Sequence, residues 1–381
     1  MRMLLSDDWK TVRDNKRIIV YGLGKLSKLY LPKLSRDFSI KFIIDNGNDI
    51  ENEYLGIPVY PFLEAKDRIE NDKIVVVVGT SIAENLREEV KKYLCGNGLR
   101  EYIDFCDIER FALEYYWRFE KRINIFQIHT AVTTNCTLKC RKCNMLVPYY
   151  KNSYEYVAED IEENLDLLTK KVEFIFKYQL VGGEPFLNKD IKRILALIGE
   201  KYQNIIAWKR IVTNGTIMPD EETFNLLKLY GYDVVVSDYS EQVNYKERID
   251  EFERKLDEKG ITYERDRALK WVDTGLPETI GEEQGNNIID HMKNCASSWH
   301  GLADKKLFYC NISWSAEKCG LFNNEEGDYI DLRDMESDEI LEKMIALNLG
   351  DFPKGYNSLC RFCKGCGTDN NSFVIPGEQC R

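Results

Sequence analysis

The sequence predicts an α/β protein built from parallel sheets and completed by a cysteine-rich C-terminal region. Short β-branched runs alternate with stretches of helical spacing up to about residue 240, and ten of the twelve cysteines lie after residue 130. Strands that alternate with helices imply a parallel sheet. Clustered thiols in a chain of this size more often bind metal or carry redox chemistry than form disulfides. We therefore expect three domains, over residues 1–115, 116–290 and 291–381.

Composition excludes several classes of protein. The formal net charge of -11 leaves no overall positive field that would attract nucleic acid. No stretch reaches the length of about 18 apolar residues that a membrane helix needs. The first ten residues contain no apolar run of signal-peptide length. We therefore expect a cytoplasmic protein that neither binds nucleic acid nor spans a membrane.

The first region predicts a Rossmann-like parallel sheet. Its strands are β-branched runs bounded by Gly, Asp or Asn, at 18–21, 40–44 and 74–78, with helical spacing over 25–34 and 82–94. Gly22 and Gly24 follow the first strand and Asp45 ends the second, where a dinucleotide-binding fold places its glycine turn and its ribose-binding acid. Ser27 replaces the third glycine of that motif. Gly22, Gly24 and Asp45 are therefore candidate nucleotide-binding residues, and the alternative is a small α/β domain that uses the glycines only for its turn.

The second region repeats the alternation. Its predicted strands cover 123–132, 174–181, 205–213 and 232–237, and its predicted helices cover 157–170, 189–202 and 220–229. A run of βα units of this length suits an open or partial TIM-like (β/α) barrel, in which chemistry collects at the carboxyl ends of the strands. The third region is richer in turns, and only 338–347 looks like a good helix, with Ser337 as a possible N-cap. We expect such a segment to need a metal to hold it together.

A loop after the first barrel strand carries three thiols at the spacing Cys136-x3-Cys140-x2-Cys143. Thiolates are the natural ligands of iron-sulfur clusters, and three of them leave one iron of a cubane open to bind and reduce something. The alternative is three of the four ligands of a structural zinc site, although zinc ligands usually come as CxxC pairs.

This CxxxCxxC loop resembles the radical S-adenosylmethionine (SAM) superfamily, and the match continues along the chain. Gly182-Gly183-Glu184 resembles the GGE motif, which receives the amino group of the methionyl moiety. Thr213-Asn214 resembles the polar segment that meets the ribose, and Ser237 occupies the position of a further cofactor contact. One departure is Lys142, where many members carry an aromatic residue.

The resemblance covers about residues 120–245 and implies a partial (β/α)6 barrel, a catalytic 4Fe-4S cluster and SAM as cofactors. It further implies reductive cleavage of SAM to a 5'-deoxyadenosyl radical, which abstracts hydrogen from a substrate C-H bond. An external one-electron reductant such as flavodoxin or ferredoxin would supply the electron. No further catalytic residue is assigned by the sequence.

The tail carries two further pairs of thiols, Cys295-x14-Cys310 and Cys360-x2-Cys363. They resemble the auxiliary-cluster extensions of the same superfamily, called Twitch with one cluster and SPASM with two. Because the tail has seven cysteines and two fully ligated clusters need eight, we favour one auxiliary 4Fe-4S cluster on Cys295, Cys310, Cys360 and Cys363. A second, incompletely ligated cluster and a zinc site remain as alternatives, with Cys319, Cys366 and Cys380 unassigned.

Histidines and the remaining cysteines are weaker signals. His129 is expected to be a packed strand histidine rather than a catalytic one. His291 and His300 flank Cys295 and are candidates for cluster ligands or for donors behind them. Cys95 and Cys106 are expected to be buried structural thiols.

Two substrate classes follow from the domain pattern. The Rossmann-like first region resembles domains attached to enzymes of surface-polysaccharide assembly, which favours a sugar, cyclitol or nucleotide-linked glycan that is oxidised, epimerised or dehydrated. The alternative is maturation of a ribosomal peptide, which SPASM-type tails accompany. A non-enzymatic iron-sulfur binding protein is a third hypothesis, and the open three-cysteine spacing argues against it.

Overall fold

The structure is a computed structural model that describes residues 3–47, 52–69, 72–78, 84–267, 269–285, 287–295, 299–334, 339–367 and 369–380. Its contacts divide the chain into two compact units, Arg2–Asn124 and Ile125–Arg381. The predicted boundaries near residues 115 and 290 stay predictions. Among the described residues, no helix has the length and apolar character needed to cross a membrane.

The first unit is a six-stranded sheet with helices between its strands. Its strands are β1 (Arg17–Tyr21), β2 (Ser39–Ile44), β3 (Glu53–Tyr54), β4 (Ile57–Tyr60), β5 (Lys73–Val76) and β6 (Phe105–Asp107). Its helices are α1 (Lys10–Asn15), α2 (Lys25–Asp37), α3 (Phe62–Ala65), α4 (Glu84–Gly96) and α5 (Ile108–Arg110), and the chain continues as a π-helix over Phe111–Glu120.

The strand order β3-β4-β2-β1-β5-β6 confirms the predicted Rossmann-like sheet. All neighbours pair in parallel except β3 with β4. With the short β3 set aside, this is the 3-2-1-4-5 order of a doubly wound fold, in which the order reverses beside β1. The apolar faces of β1, β2 and β5 pack with α3 and α4 in one buried core. Residues 82 and 83 of the predicted second helix lie outside the described residues.

The second unit contains an eight-stranded sheet and a two-stranded one. Its strands are β7 (Ile123–Thr133), β8 (Val172–Gly182), β9 (Ile206–Thr213), β10 (Tyr232–Ser237), β11 (Tyr263–Asp266), β12 (Trp271–Val272), β13 (His300–Ala303), β14 (Lys306–Phe308), β15 (Tyr329–Asp331) and β16 (Phe373–Val374). Its helices are α6 (Ala158–Thr169), α7 (Ile191–Lys201), α8 (Glu221–Leu229), α9 (Lys246–Lys259), α10 (Ile288–Asn294), α11 (Asn311–Lys318) and α12 (Glu339–Asn348).

The large sheet has the order β11-β10-β9-β8-β7-β13-β14-β15. The strands from β8 to β11 pair in parallel in chain order, as the prediction of a partial barrel requires. The sixth parallel strand, β13, lies beside β7 rather than beyond β11. Helices α6 to α9 occupy the connections, so the carboxyl ends of β7 to β10 lie at one edge of the sheet.

The third region is more regular than the sequence predicts. The hairpin of β13 and β14 and the strand β15 extend the large sheet, and α11 is a mostly buried helix of eight residues. Sequence periodicity misses α11 because Ser313 and Ser315 are fully buried in it and break the apolar pattern. The predicted helix over 338–347 is present as α12, and its proposed N-cap, Ser337, lies outside the described residues.

Candidate active site

The cysteine loop is attached to the sheet by the double glycine after β8. A Cβ on Gly182 would lie 2.2 Å from the carbonyl oxygen of Thr133, and one on Gly183 would lie 2.1 Å from that of Asn135. The close approach lets Gly183 N donate to Thr133 O at 2.8 Å and Glu184 N donate to Asn135 O at 2.7 Å. Only glycine permits this contact, so the two glycines position the residues that lead into Cys136.

Glu184 connects this junction to the next strand end. Its side chain is fully buried and accepts hydrogen bonds from Thr213 Oγ1 and from Asn214 N, both at 2.8 Å, and from Phe186 N at 3.2 Å. Burial raises the pKa of Glu184 to about 7 in spite of these three donors, because a carboxylate loses its hydration there. The carboxylate is thus part of the scaffold between the ends of β8 and β9.

Asn214 continues the connection to the cysteine loop. Its Nδ2 atom donates to Cys136 Sγ at 3.5 Å and to Thr137 Oγ1 at 3.2 Å. Its Oδ1 atom accepts from Thr216 Oγ1 at 2.6 Å. Ser237, at the end of β10, is buried at the same edge of the sheet. The candidate cofactor residues after three successive strands therefore lie along one edge, next to the three cysteines.

Each thiol of the loop lies near N-H donors. Cys136 Sγ accepts from Leu138 N at 3.4 Å, and Cys140 Sγ accepts from Gln379 Nε2 at 3.4 Å. Burial raises the pKa of Cys136 to about 12 and that of Cys140 to about 11. Burial also raises the pKa of Cys143, against hydrogen bonds from the backbone of Val147, Met145 and Leu146. A cation such as iron is what would stabilise thiolates at these buried positions.

Lys142 is held away from the thiols. Its Nζ atom pairs with Glu278 Oε2 at 2.6 Å and with Asp273 Oδ1 at 3.6 Å. Where the resemblance expects an aromatic residue, this chain thus has an ion pair to the segment before α10.

The tail cysteines gather in two places. The charges of Cys295, Cys310 and Cys363 act on Cys360, and burial raises the pKa of Cys360 well above its usual range. Burial likewise raises the pKa of Cys363 to about 12. Gly365 N donates to Cys363 Sγ at 3.3 Å. The four thiols proposed for the auxiliary cluster are therefore neighbours.

The three unassigned cysteines have different surroundings. Cys366 joins the auxiliary group, where a hydrogen bond with Cys295 raises its pKa. Cys380 lies by the cysteine loop: its N donates to Lys139 O at 2.7 Å, and its charge acts on Cys140 and Cys143. Cys319 is buried in an apolar cluster with Leu146.

In the first unit, Cys106 is buried as expected, whereas Cys95 is exposed on α4. The expectation for Cys95 is wrong because its position falls on the solvent face of that helix.

The histidines are buried and hydrogen-bonded. His129 stacks on Trp299, with ring centroids 6.0 Å apart, and its Nδ1 atom lies 3.3 Å from Asn311 Nδ2. Burial lowers the pKa of His129 well below its usual range and that of His300 to about 4, so both are neutral. His291 Nδ1 lies 2.8 Å from Asp369 Oδ2 and packs at Gly365, between Cys363 and Cys366.

A polar face lies on the side of the large sheet away from its helices. Tyr232 donates its hydroxyl to Leu195 O of α7, which marks the helix side. Strand alternation puts Asp233 and its register partner Arg210 on the other face, and Gln179 pairs with Arg210 in turn. Gln179 Nε2 lies 3.3 Å from His129 Nε2. This face is therefore lined with hydrogen-bonding groups leading to the strand ends.

The candidate nucleotide-binding residues of the first unit also lie together. Asp45 accepts from Leu23 N at 2.6 Å and from Gly47 N at 2.8 Å. Ser27 is buried and donates to Gly22 O at 2.6 Å, so the residue that replaces the third glycine is accommodated by a hydrogen bond. A Cβ on Gly22 would lie 2.6 Å from Val77 O, whereas one on Gly24 would meet nothing within 4 Å.

Comparison with known families identifies the barrel. Residues 130–239 match the Radical SAM superfamily, a span that runs from β7 to just past β10 and includes the cysteine loop and the residues after three strands. The chain contains a radical SAM domain. Members of this superfamily use a 4Fe-4S cluster and SAM, and the predicted resemblance is confirmed.

Similarity to individual proteins is partial. The radical SAM chain is 29% identical over 103 residues to a GTP 3',8-cyclase of Campylobacter jejuni subsp. doylei, a match that covers 27% of this chain and 31% of the relative. The chain thus spans under a third of the curated relatives that it matches.

Solved structures with a similar fold include three named proteins. BtrN in complex with AdoMet and 2-DOIA is 15% identical, with 67% of this chain and 96% of that chain covered and a TM-score of 0.39. For anSMEcpe with bound AdoMet the values are 12%, 66%, 90% and 0.41. For SuiB of Streptococcus suis bound to S-adenosylmethionine they are 19%, 40%, 34% and 0.29.

The residues of the loop fit a cluster. Among the described residues, no three His, Cys, Asp or Glu side chains converge on a single metal ion. The donor set is three thiols with N-H groups directed at their sulfurs, and thiolates that accept hydrogen bonds are the usual ligands of iron-sulfur clusters.

Two neighbours of the site have no signal in the sequence. Gln379 and Asn311 approach Cys140 and His129 from positions far along the chain. The short spacing of Cys363 and Cys366 was the one available hint that Cys366 joins the auxiliary group.

Proposed function

We propose that this protein cleaves SAM reductively and uses the product to abstract hydrogen from a C-H bond of a sugar, cyclitol or nucleotide-linked glycan. The carrying observation is the contact of the Cys136 loop with Gly183, Glu184 and Asn214, which brings the three thiols to the strand ends. When bound, the cluster and SAM supply a 5'-deoxyadenosyl radical, with methionine released and one electron taken from an external reductant such as flavodoxin or ferredoxin.

The chain's own residues bind and orient in this proposal. Cys136, Cys140 and Cys143 hold three irons and leave the fourth to the cofactor. Gly182, Gly183 and Glu184 hold the loop to β8, and backbone groups exposed there receive the methionyl moiety. Thr213, Asn214 and Ser237 face the ribose side. Contacts of this kind contribute by fixing the reacting groups in place before the reaction.

The tail thiols have a separate role in the proposal. Cys295, Cys310, Cys360 and Cys363 hold at least one auxiliary 4Fe-4S cluster, and Gly365 N donates to the sulfur of Cys363. Cys310 is followed directly by Asn311, which reaches His129 on β7. An electron acceptor near the barrel would permit net two-electron oxidation of an alcohol.

Two features support a sugar-type substrate. The first unit has the Rossmann-like strand order, with Gly22 at the reversal point where such folds bind ligands. The barrel face that carries Gln179, Arg210 and His129 offers hydrogen bonds to a hydroxyl-rich molecule. The name of the Campylobacter relatives, GTP 3',8-cyclase, is that of an enzyme that acts on a nucleotide.

Maturation of a ribosomal peptide is the second candidate. It is favoured by the CxxC pair at Cys360 and Cys363, which resembles a SPASM tail. A short precursor peptide encoded beside this gene would support it, whereas neighbouring sugar-nucleotide enzymes would support the first proposal.

The chemistry is tested by forming 5'-deoxyadenosine from SAM with anaerobically reconstituted, reduced protein. We expect formation by the native protein, loss in Cys140→Ala and retention in Cys95→Ala, since Cys95 is an exposed thiol of the other unit. Iron-loaded native protein that forms no 5'-deoxyadenosine would return the non-enzymatic hypothesis to first place.

A further inference from the structure

A short segment near the end of the chain pairs with the cysteine loop. We call Gly377–Cys380 the strap. Arg141 N donates to Glu378 O at 2.7 Å and Cys380 N donates to Lys139 O at 2.7 Å, which is the pattern of an antiparallel bridge around Cys140 and Gln379. The strap therefore lies along the loop that supplies the three thiols.

The side chain of Gln379 is oriented by this pairing. Its Oε1 atom accepts from Lys139 N at 2.7 Å, and its Nε2 atom donates to Gly377 O at 2.7 Å and to Cys140 Sγ at 3.4 Å. The reverse orientation would set the amide nitrogen against the N-H of Lys139 and the amide oxygen against the carbonyl of Gly377. The backbone thus determines that an N-H group, and not an oxygen, faces the sulfur of Cys140.

The donor to Cys140 differs in origin from those of the other two thiols. Cys136 receives Leu138 N from its own loop and Asn214 Nδ2 from the end of β9. Backbone N-H groups of the residues that follow Cys143 act on that thiol. Gln379 is 239 residues from Cys140 and belongs to the tail.

We propose that Gln379 is a positioning residue that raises the reduction potential of the cluster held by Cys136, Cys140 and Cys143. This inference rests on the proposed function. Reduction adds negative charge to the cluster, and an N-H group directed at a ligand sulfur stabilises the more negative state. Hydrogen bonds to the sulfurs are among the factors that set cluster potentials. The tail thereby makes the electron that cleaves SAM easier to supply.

The test is a potentiometric titration of the reconstituted holoenzyme, followed by EPR on the cluster signal that responds to SAM. Gln379→Leu removes the donor, and Gln379→Glu keeps the acceptor for Lys139 N while it replaces the donor by an oxygen. Gln203→Leu is the matched control, since Gln203 is exposed and bonds only locally, to Glu200 O at 3.4 Å. Iron per chain is measured for every variant.

In both Gln379 variants we expect iron content like that of the native protein and about a tenfold lower ratio of reduced to oxidised cluster at the native midpoint. For one electron that corresponds to a midpoint lowered by about 59 mV. A midpoint equal to that of Gln203→Leu, or a higher one, would overturn the proposal. Loss of the cluster from both variants would overturn it too, because Gln379 would then hold the loop rather than tune it.

The two proposals fail in different ways. A native protein without a SAM-responsive cluster signal contradicts the proposed function. A native signal whose midpoint ignores Gln379 contradicts this inference alone.

Discussion

The carboxylate of Glu184 accepts the backbone N-H of Asn214 at 2.8 Å and joins the ends of two neighbouring strands inside the protein. Glu184 is fully buried, so this connection is shielded from water. Asn214 in turn reaches Cys136 Sγ. A motif residue that the resemblance assigns to SAM thus also supports the loop that carries the thiols.

The first prediction concerns the pH dependence of stability. Burial raises the pKa of Glu184 to about 7, above its value of about 4.3 in an unfolded chain, so the folded state holds the proton more tightly. The stability that this group contributes is full below about pH 4 and is lost as the pH rises through 7. The change amounts to about 3 kcal/mol.

Glu184→Gln should remove that slope from a plot of the free energy of unfolding in urea against pH. Glu282→Gln, at an exposed position, should keep it. An unchanged slope in Glu184→Gln would show that the carboxyl titrates as it does in water.

The second prediction concerns the double glycine. Gly183→Ala places a methyl group against the backbone carbonyl of Asn135, which cannot move without shifting the cysteine loop. We expect destabilisation on the order of 3 kcal/mol and a loss of iron from the loop.

The control is Gly96→Ala at the end of α4, where a Cβ meets nothing within 4 Å. It should leave melting temperature and iron content close to native values. Full iron loading in Gly183→Ala would contradict the role given to this contact.

The third prediction separates the tail thiols by iron analysis. A protein with two cubane clusters holds about eight irons per chain, and Cys360→Ala should leave about four. Cys319→Ala should keep about eight, since Cys319 is packed among apolar side chains. Cys366→Ser should also keep about eight, because we expect its thiol to donate to Cys295 rather than to bind iron.

Loss of about four irons from Cys366→Ser would instead make Cys366 a ligand. Zinc in place of iron in the tail of anaerobically purified protein would contradict the auxiliary cluster.

The fourth prediction tests the first unit. If a nucleotide-linked sugar binds at the turn after β1, it should raise the melting temperature of the native protein, by the equivalent of about 2.7 kcal/mol at 100 times its Kd. Gly24→Ala should reduce that shift, because its Cβ enters the open space beside the turn, while the ligand-free melting temperature stays native.

An alanine is compatible with the backbone at this position, since Gly24 has φ of -73°. No shift across a panel of nucleotide-sugars would count against nucleotide binding by this unit.

Sequence alone was sufficient for the α/β class, the Rossmann-like sheet and the cysteine loop. Strand runs such as Ile18–Tyr21 are local apolar patterns, and the thiols, the double glycine and Thr213-Asn214 are neighbours along the chain. Local patterns of this kind survive in one dimension because strands and turns depend mainly on adjacent residues.

Tertiary structure alone decided which distant residues meet. Pairing of the strap with the loop places Gln379 beside Cys140, and α11 places Asn311 beside His129. It also separated Cys319, packed among apolar side chains, from Cys366 in the auxiliary group. These contacts depend on packing between elements far apart in sequence, and neither spacing nor periodicity carries that information.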